Sequence, residues 1–413
     1  DDDESRTCDK PVINGLRPSS LLALINMIAS FLCAALMPIL GAVIDHSPYR
    51  RSVGMWSSIL LLIVNIGQAF IGPGTWFFMM ILSALSFLFY ISVLTIQLAY
   101  LPELKTDERK VLAIAGKSRA FELCGTLFIL IFATVVGRAV INNHDEDLND
   151  AKQSVVMARV SQIMGVICGG PSLLWCWYCC LQDRPSLHGT SNTDIDSARG
   201  VSYLASLWLV GVRGLSDTFG YLKTEFPNVA YYLIAFAFWE AAGSGLIALS
   251  TSFLIFELDF VTSQVVAFFL ITIVTAIPAS IASRHVSIRY GLHVSLKACL
   301  VYSIVIFSCF ALLCRTKPVA YFFAALFGLQ SGWINPVQRF AFTNIIPGGR
   351  ETELFGLFSF ASQALGWIPG LIFIIINQNL GGNLRLSLLC PIGFYMVGLI
   401  ILVIKVDFEA AVS

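Results

Sequence analysis

Stretches of roughly twenty apolar residues recur eleven times along this chain, at about 19–44, 53–72, 75–99, 118–141, 155–181, 228–256, 260–283, 291–313, 318–342, 354–377 and 386–406. A helix needs about 20 such residues to cross a bilayer, where its backbone bonds to itself and only side chains meet lipid. The chain therefore reads as an all-α, polytopic membrane protein whose first partner is the lipid bilayer. Composition agrees: 57% of the 413 residues are apolar and 13% are charged, about half the charged share of a soluble domain. Formal net charge is zero and the basic residues form no dense patch, so a nucleic-acid partner has no electrostatic footprint.

The links between the runs differ in charge. "GPGT" (72–75) and "ELDFVT" (257–262) carry no Lys or Arg, whereas "PELKTDERKVLAIAGKSR" (102–119) carries five. Cytoplasmic links are enriched in basic residues. Alternating the links and placing 41–52 inside puts 17 of the 26 Lys and Arg residues on the cytoplasmic side. The acidic "NNHDEDLND" (142–150) then faces away from the cytoplasm, and the C-terminus lies within it.

Ten of the eleven Cys lie in or at the ends of apolar runs, where Cys behaves as a small hydrophobe. Cys176, Cys179 and Cys180 have C-x-x-C spacing but no second pair to complete a metal site. Packing or palmitoylation suits them better. No metal and no cofactor is expected.

The longest link, 182–227, divides the chain into an N-terminal helical half (1–181) and a C-terminal half (228–413). Within it Leu204, Trp208, Val212 and Leu215 recur at helical spacing against Arg199, Arg213 and Asp217, the pattern of an interfacial amphipathic helix. Five runs precede the link and six follow. Residue 1 is Asp, and no signal-peptide pattern precedes the first run, so the chain is expected to begin inside a longer protein and to lack its first helix.

A six-plus-six layout draws attention to "GAVIDHSPYRR" (41–51), a charged turn after what would be the second helix. It resembles the Gly-x-x-x-Asp-(Arg/Lys)-x-Gly-(Arg/Lys)-(Arg/Lys) motif of the major facilitator superfamily: Gly41, Asp45, Arg50 and Arg51 match, while Pro48 and Tyr49 depart from it. Gly41 allows close helix approach, and Asp45 at a helix end can meet a basic group or a helix N-terminus. The four residues read as a conformational gate, against the plainer alternative of a charged loop. The matching turn of the second half, "PASIASRHVSIRYG" (278–291), keeps Arg289 and Gly291 but has Arg284 and Ile288 at positions where the motif has Gly and Asp.

Two further stretches look like the vacuolar amino-acid effluxer family of autophagy and its bacterial relatives: Leu101-Pro102-Glu103, and the set Pro347, Gly349, Arg350, Glu351, Glu353, Phe355 and Gly356. The resemblance implies twelve helices, a vacuolar or lysosome-like membrane and export of amino acids. Read from the residues, Pro102 and Pro347 stop helices, and Arg350 can reach Glu103 or Glu351. These charges extend the gate.

An ionisable group near the bilayer midplane points to function. Glu240 lies about twelve residues into its run, in "FAFWEAAGSGLIALS", and Gly243 and Gly245 after it suggest a helix able to unwind around a ligand. A carboxyl there suits proton coupling; the plainer alternative is a structural hydrogen bond. Glu122 reads as one turn into its helix, beside Arg119. Gln97, Gln330, Asn335 and Gln338 are midspan amides suited to orienting a polar solute, and "LFGLQSGWINPVQRFAF" (326–342) reads as a broken helix lining a cavity. Asn26, Asn65 and Gln68 suit interhelical hydrogen bonds.

These residues suggest a secondary active transporter, monomeric, that moves a small polar solute, with protons as a candidate second cargo. No "GxxxxGK[ST]" occurs, so the phosphate cradle of an ATP-driven pump is missing. The five His are scattered, and no enzyme is expected. The other class to weigh is a membrane receptor or scaffold that keeps a transporter fold without transporting.

Overall fold

The computed structural model describes residues 18–46, 50–72, 74–98, 100, 108–143, 150–181, 213, 216–346, 351–379 and 384–408. Its elements are α1 (Pro18–His46), α2 (Arg50–Gln68), α3 (Trp76–Leu98), α4 (Glu108–Asn143), α5 (Asp150–Trp175) and α6 (Pro227–Phe256). There follow α7 (Thr262–Tyr290), α8 (Leu292–Leu313), α9 (Lys317–Ile345), α10 (Glu351–Ala364), α11 (Ile368–Asn379), α12 (Leu384–Leu388) and α13 (Cys390–Lys405). A helix stands at each of the eleven apolar runs, the last two runs being interrupted helices. By length and composition eight segments among the described residues can cross a membrane. Pro18–His46, Arg50–Gln68 and Lys317–Ile345 are helical but fall outside that set.

Packing is closest between α7 and α9, and glycine makes it so. A Cβ at Gly332 would run into the Ala276 carbonyl oxygen and Ala279 Cβ, and one at Gly328 into the Thr272 carbonyl and Thr275 Oγ1. Small residues let helix backbones approach in lipid, where packing replaces the hydrophobic effect as the adhesive force. This corrects the expectation of a broken helix at 326–342: α9 runs unbroken through Pro336. The same correction applies to α6, which is continuous past Gly243 and Gly245. A Cβ at Gly243 would lie 3.2 Å from the Tyr395 hydroxyl, and one at Gly245 would lie 3.0 Å from Pro369 Cβ.

One large apolar core joins α6 to α13, with Trp239, Tyr232, Phe236, Phe253, Phe310 and Phe342 among its fully buried side chains. Phe236 stacks on Phe358 at 4.0 Å and Phe342 on Phe358 at 4.5 Å, tying α6, α9 and α10 together. Phe355, from the second family-like stretch, is buried edge-on against Phe342. The first five helices form smaller clusters and expose large apolar side chains, such as Phe128 and Trp175, as a lipid-facing surface does. The two sets meet where α4 packs on α7, and where α1 packs on α10 and α11. Phe31 meets Trp367 edge-on at 5.8 Å, and the Asn377 amide donates to Ser20 Oγ at 2.8 Å.

Hydrogen bonds between α2 and α3 confirm the expectation for two polar residues: Ser86 donates to Asn65 at 2.9 Å and Gln68 to Ser83 at 3.4 Å. Gly291, at φ 88°, makes the turn that joins α7 directly to α8, a backbone region that glycine enters without strain. Of the expected amphipathic segment, Arg213 and Asp217 are described and the remainder lies outside the described residues.

The three-cysteine stretch is a π-helical turn, Cys176–Cys180, that ends α5. Its Trp177 is wholly buried over Gly54, where a Cβ would collide with the indole ring. The indole N–H donates to Ser58 Oγ at 2.7 Å. Ser58→Ala should therefore leave a buried donor unsatisfied and cost about 1–3 kcal/mol, read as a lowered melting temperature of the purified protein. An unchanged melt would show that Trp177 finds another acceptor.

Candidate functional site

Glu240 sits thirteen residues beyond the start of α6, about 20 Å along the axis at 1.5 Å per residue. Gln338 of α9 donates its amide Nε2 to Glu240 Oε2 at 3.1 Å. The opposite face of that amide is fixed as well: the Trp239 indole donates to Gln338 Oε1 at 2.9 Å, and the Tyr232 hydroxyl donates to the Gln338 backbone carbonyl at 2.7 Å. An indole N–H can only donate, so the Gln338 oxygen must face Trp239 and its NH₂ must face the carboxyl. Trp239, Tyr232 and Gln338 are all buried. Glu240 is thus held by one oxygen in a rigid cradle, while Oε1 takes no hydrogen bond among the described residues.

Two guanidinium groups act on this carboxyl, and Glu122 and Tyr90 act on them. Arg339, next to Gln338, lies within electrostatic reach of Glu240, Glu122, Arg119 and Tyr90. Arg119 also reaches Glu240, and Tyr90 of α3 senses Glu122, Arg119 and Arg339. Arg119 and Glu122 form an ion pair one turn apart on α4, as their spacing predicts. Two acids and two guanidinium groups are thus linked electrostatically, one acid and one guanidinium from α4, where the Glu122 side chain is 49% exposed, and the other two from α6 and α9. Arg339 and Glu240 are both part-buried.

The other predicted polar residues scatter around this cluster. Gln330 belongs to a neighbouring network: its amide donates to Ser303 Oγ at 3.0 Å and to the Tyr395 hydroxyl at 3.5 Å. Asn335 turns back on its own helix, donating to the Ser331 carbonyl at 2.9 Å. Gln97 stands in the last turn of α3, where its carbonyl accepts from the Tyr100 N–H at 3.1 Å. That corrects its midspan assignment. Glu122 is corrected too: α4 begins at Glu108, so the acid lies about four turns inside the helix. The apolar run had marked only the lipid-facing portion.

Of the expected gate, Glu103 and Arg350 lie outside the described residues, while Gly41, Asp45 and Glu351 lie on described helices, their side chains outside the described set. Arg50 is buried with its guanidinium 4.7 Å from the centre of the Tyr100 ring. Arg51 caps the end of α5, donating to the carbonyls of Trp177 at 3.0 Å and Tyr178 at 3.1 Å. A cation at a helix C-terminus meets the negative end of the dipole, so Arg51 joins α2 to the π-turn.

Sequence reasoning passed over Arg339, Tyr90, Tyr232 and Trp239. Arg339 stands three residues inside the apolar run that ends at 342, where a basic side chain normally snorkels to the interface. The helix continues to Ile345, so this arginine stands about two turns from its end. A separate cavity of about 440 Å³ lies between α4, α5 and the start of α7, lined by Arg138, Gln153, Ser154 and Thr262 among others. It does not include the acidic pair.

Comparison with known proteins places the fold. The chain resembles the xylose:proton symporter XylE at 11% identity with a TM-score of 0.63, covering 99% of this chain and 94% of that one. It resembles the human organic anion transporter MFSD10 at 13% and 0.59, over 92% and 83%. The fucose:proton symporter FucP of E. coli in its outward conformation aligns at 14% and 0.59, over 94% and 89%. No match is found among curated protein sequences. These likenesses show that the chain has the major facilitator fold. The sequence profile described as "Vacuole effluxer Atg22 like" matches residues 15–412, nearly the whole chain, which belongs to that family.

Proposed function

We propose that this protein is a secondary active transporter that carries amino acids across a vacuolar or lysosome-like membrane by alternating access, with protons as the coupling ion. One observation carries this reading: the carboxyl of Glu240, deep in α6, meets the Gln338 amide of α9 at 3.1 Å, with Arg339 and Arg119 within its electrostatic reach. Rocking of two helical bundles about a fixed central site exposes such a cluster to each side in turn. Charged side chains in lipid are costly enough that a carboxyl placed there needs a role.

In this reading Glu240, Gln338, Arg339 and Glu122 form the substrate and proton path. Gln330, Asn335 and Gln97 stand at its margins. The residues Gly41, Asp45, Arg50, Arg51, Glu103, Arg350 and Glu351 form the gate at the end of the molecule that carries the 41–52 link. The chain acts as a monomer with its C-terminus in the cytoplasm, and the division at 182–227 separates the two moving halves. The family description, vacuole effluxer, supports the choice of membrane and direction.

The test is counterflow in proteoliposomes loaded with unlabelled neutral amino acids and diluted into labelled ones. Transient uptake of label above empty liposomes is the expected result. Absence of counterflow for amino acids, sugars and nucleosides alike, with folded protein in the bilayer, would leave the receptor or scaffold in its place.

A further inference from the structure

The cavity of about 440 Å³ between α4, α5 and the start of α7 lies at the edge of the membrane. Three apolar segments end or begin there: Lys117–Ile141 ends at one lining residue, Lys152–Cys180 begins beside another, Gln153, and Thr262–Tyr290 begins at a third. A space at the shared boundary of three spans stands at the depth of lipid headgroups. It also joins the two helical halves, for Ser154 of α5 and Thr262 of α7 share a hydrogen bond of 2.8 Å. Each wall is fixed on its own side. A Cβ at Gly137 would collide with Met157, so α4 lies tightly on α5. Opposite, Lys317 of α9 donates to the Asp259 carbonyl at 2.8 Å and to Gln264 Oε1 at 3.0 Å, which holds the start of α7. Arg138 is the one charged group among the described lining residues, in the company of Gln153, Ser154, Thr262 and Ser263. It stands three residues inside the end of its span, about 5 Å along the axis. Ile131, Val135 and Arg138 recur at helical spacing on one face of α4, and Ile131 and Val135 are 47% and 59% exposed. Val261, 48% exposed, lines the cavity from the other half.

We infer that this cavity seats the phosphate-bearing headgroup of an anionic phospholipid, held by both halves at once. The Arg138 guanidinium takes two phosphate oxygens, a fit its planar fork is built for. The hydroxyls and the Gln153 amide of the lining meet the rest of the headgroup, and an acyl chain runs down the exposed Val135 and Ile131 face. That face is what selects a lipid over free phosphate, which gains nothing from apolar surface. The single positive charge selects an anionic headgroup over a choline one, whose ammonium meets no acid among the described lining residues. Basic pockets between membrane helices recognise headgroups in this way. A ligand that touches two walls favours the state in which those walls are close, so the bound lipid ties α4 and α5 to the start of α7. The site itself does not rest on the transporter reading.

The experiment titrates the delipidated full chain in detergent with dioleoylphosphatidylglycerol, dioleoylphosphatidylcholine and inorganic phosphate, and reads the melting temperature. Phosphatidylglycerol should raise it at about one-tenth or less of the concentration at which phosphatidylcholine gives the same rise. Inorganic phosphate should do no more than chloride of equal ionic strength. Arg138→Gln should erase the preference between the two lipids, whereas Arg289→Gln should keep it, since Arg289 is exposed at the far end of α7 and does not line the cavity. Should Arg138→Gln fail to elute as a single species, the wild-type protein answers directly. A phosphatidylglycerol with a diazirine at the glycerol end of one acyl chain, photolysed on the protein, should label peptides from both α4 and the start of α7, and excess phosphatidylglycerol should remove the label where phosphatidylcholine does not. Equal rises from the two lipids would overturn the assignment and leave Arg138 a snorkelling side chain. A rise with inorganic phosphate that matches the lipid would overturn it in favour of a free-anion site. A preference that survives Arg138→Gln, label confined to one half, or label that phosphatidylcholine removes equally would each overturn it as well. Loss of all counterflow with the lipid preference intact would remove the transporter reading and leave this site standing.

Discussion

Gly332→Ala should leave little folded protein, although it adds a single methyl group in the middle of a helix. Elsewhere such a change stabilises a helix by up to about 1 kcal/mol. Here the new Cβ would meet the Ala276 carbonyl oxygen and Ala279 Cβ on α7, and backbone cannot rotate away as a flexible side chain can. The two helices would have to separate along their whole contact, which also carries Gly328. Overpacking of a rigid site costs about 1–3 kcal/mol and occasionally more, and displacing a helix pair belongs at the upper end. Gly393→Ala is the control, since a Cβ there meets nothing within 4 Å. The measurement is the yield of monodisperse protein in detergent for the two variants. Equal yields would show that α7 and α9 can part cheaply.

That pair of glycines marks the limit of what hydrophobic periodicity reveals. Among the described residues a helix stands at each apolar run, because lipid imposes a length on any segment that crosses it. What the runs could not show is how far each helix extends beyond the lipid. The α4 helix starts at Glu108, ten residues ahead of its apolar run, because a polar extension satisfies its backbone in water as well as in the helix. Nor could the runs show what a glycine or proline is for. In α9, Gly328, Gly332 and Pro336 have the composition of a break, yet the two glycines are occupied by close approach to α7 and the proline is accommodated in a continuous helix. Composition alone does not separate a helix that must unwind from one that must be thin.

The same division runs through the site. Glu240 stood out because a carboxyl far from either end of an apolar run has no route to water, and Gln338 stood out for a similar reason. Their direct hydrogen bond joins residues 98 positions apart, a distance no local pattern spans. Arg339 escaped notice because its depth along the sequence matches that of a snorkelling side chain. The arginines of the opening turn show the reverse. Arg51 reads from the sequence as a gate charge, and the structure gives it a capping role on the Trp177 and Tyr178 carbonyls that is compatible with a gate and also with simple attachment of α5.

Glu240→Gln should abolish pH-driven accumulation of solute while the protein stays folded. Gln338 presents its NH₂ to residue 240 and is fixed in that orientation by Trp239. A glutamine can meet it with its carbonyl oxygen, which accepts as the carboxylate does, so the cradle survives. What the amide cannot do is take up and release a proton. If the proton is the coupling ion, driven uptake fails and counterflow, which needs no net proton movement, persists. If Glu240 instead binds a cationic group of the solute, counterflow falls as well, because the negative charge that attracts it is gone. Glu240→Leu separates both outcomes from a structural role: it strands the Gln338 donor and should cost about 1–3 kcal/mol, lowering the melting temperature, whereas the Gln variant should melt close to the native protein. The assay is paired, with driven uptake and counterflow measured on the same proteoliposomes. Full pH-driven accumulation by Glu240→Gln would exclude Glu240 as the proton carrier. Coupling would then pass to Glu122, the other acid of the proposed path, or be abandoned.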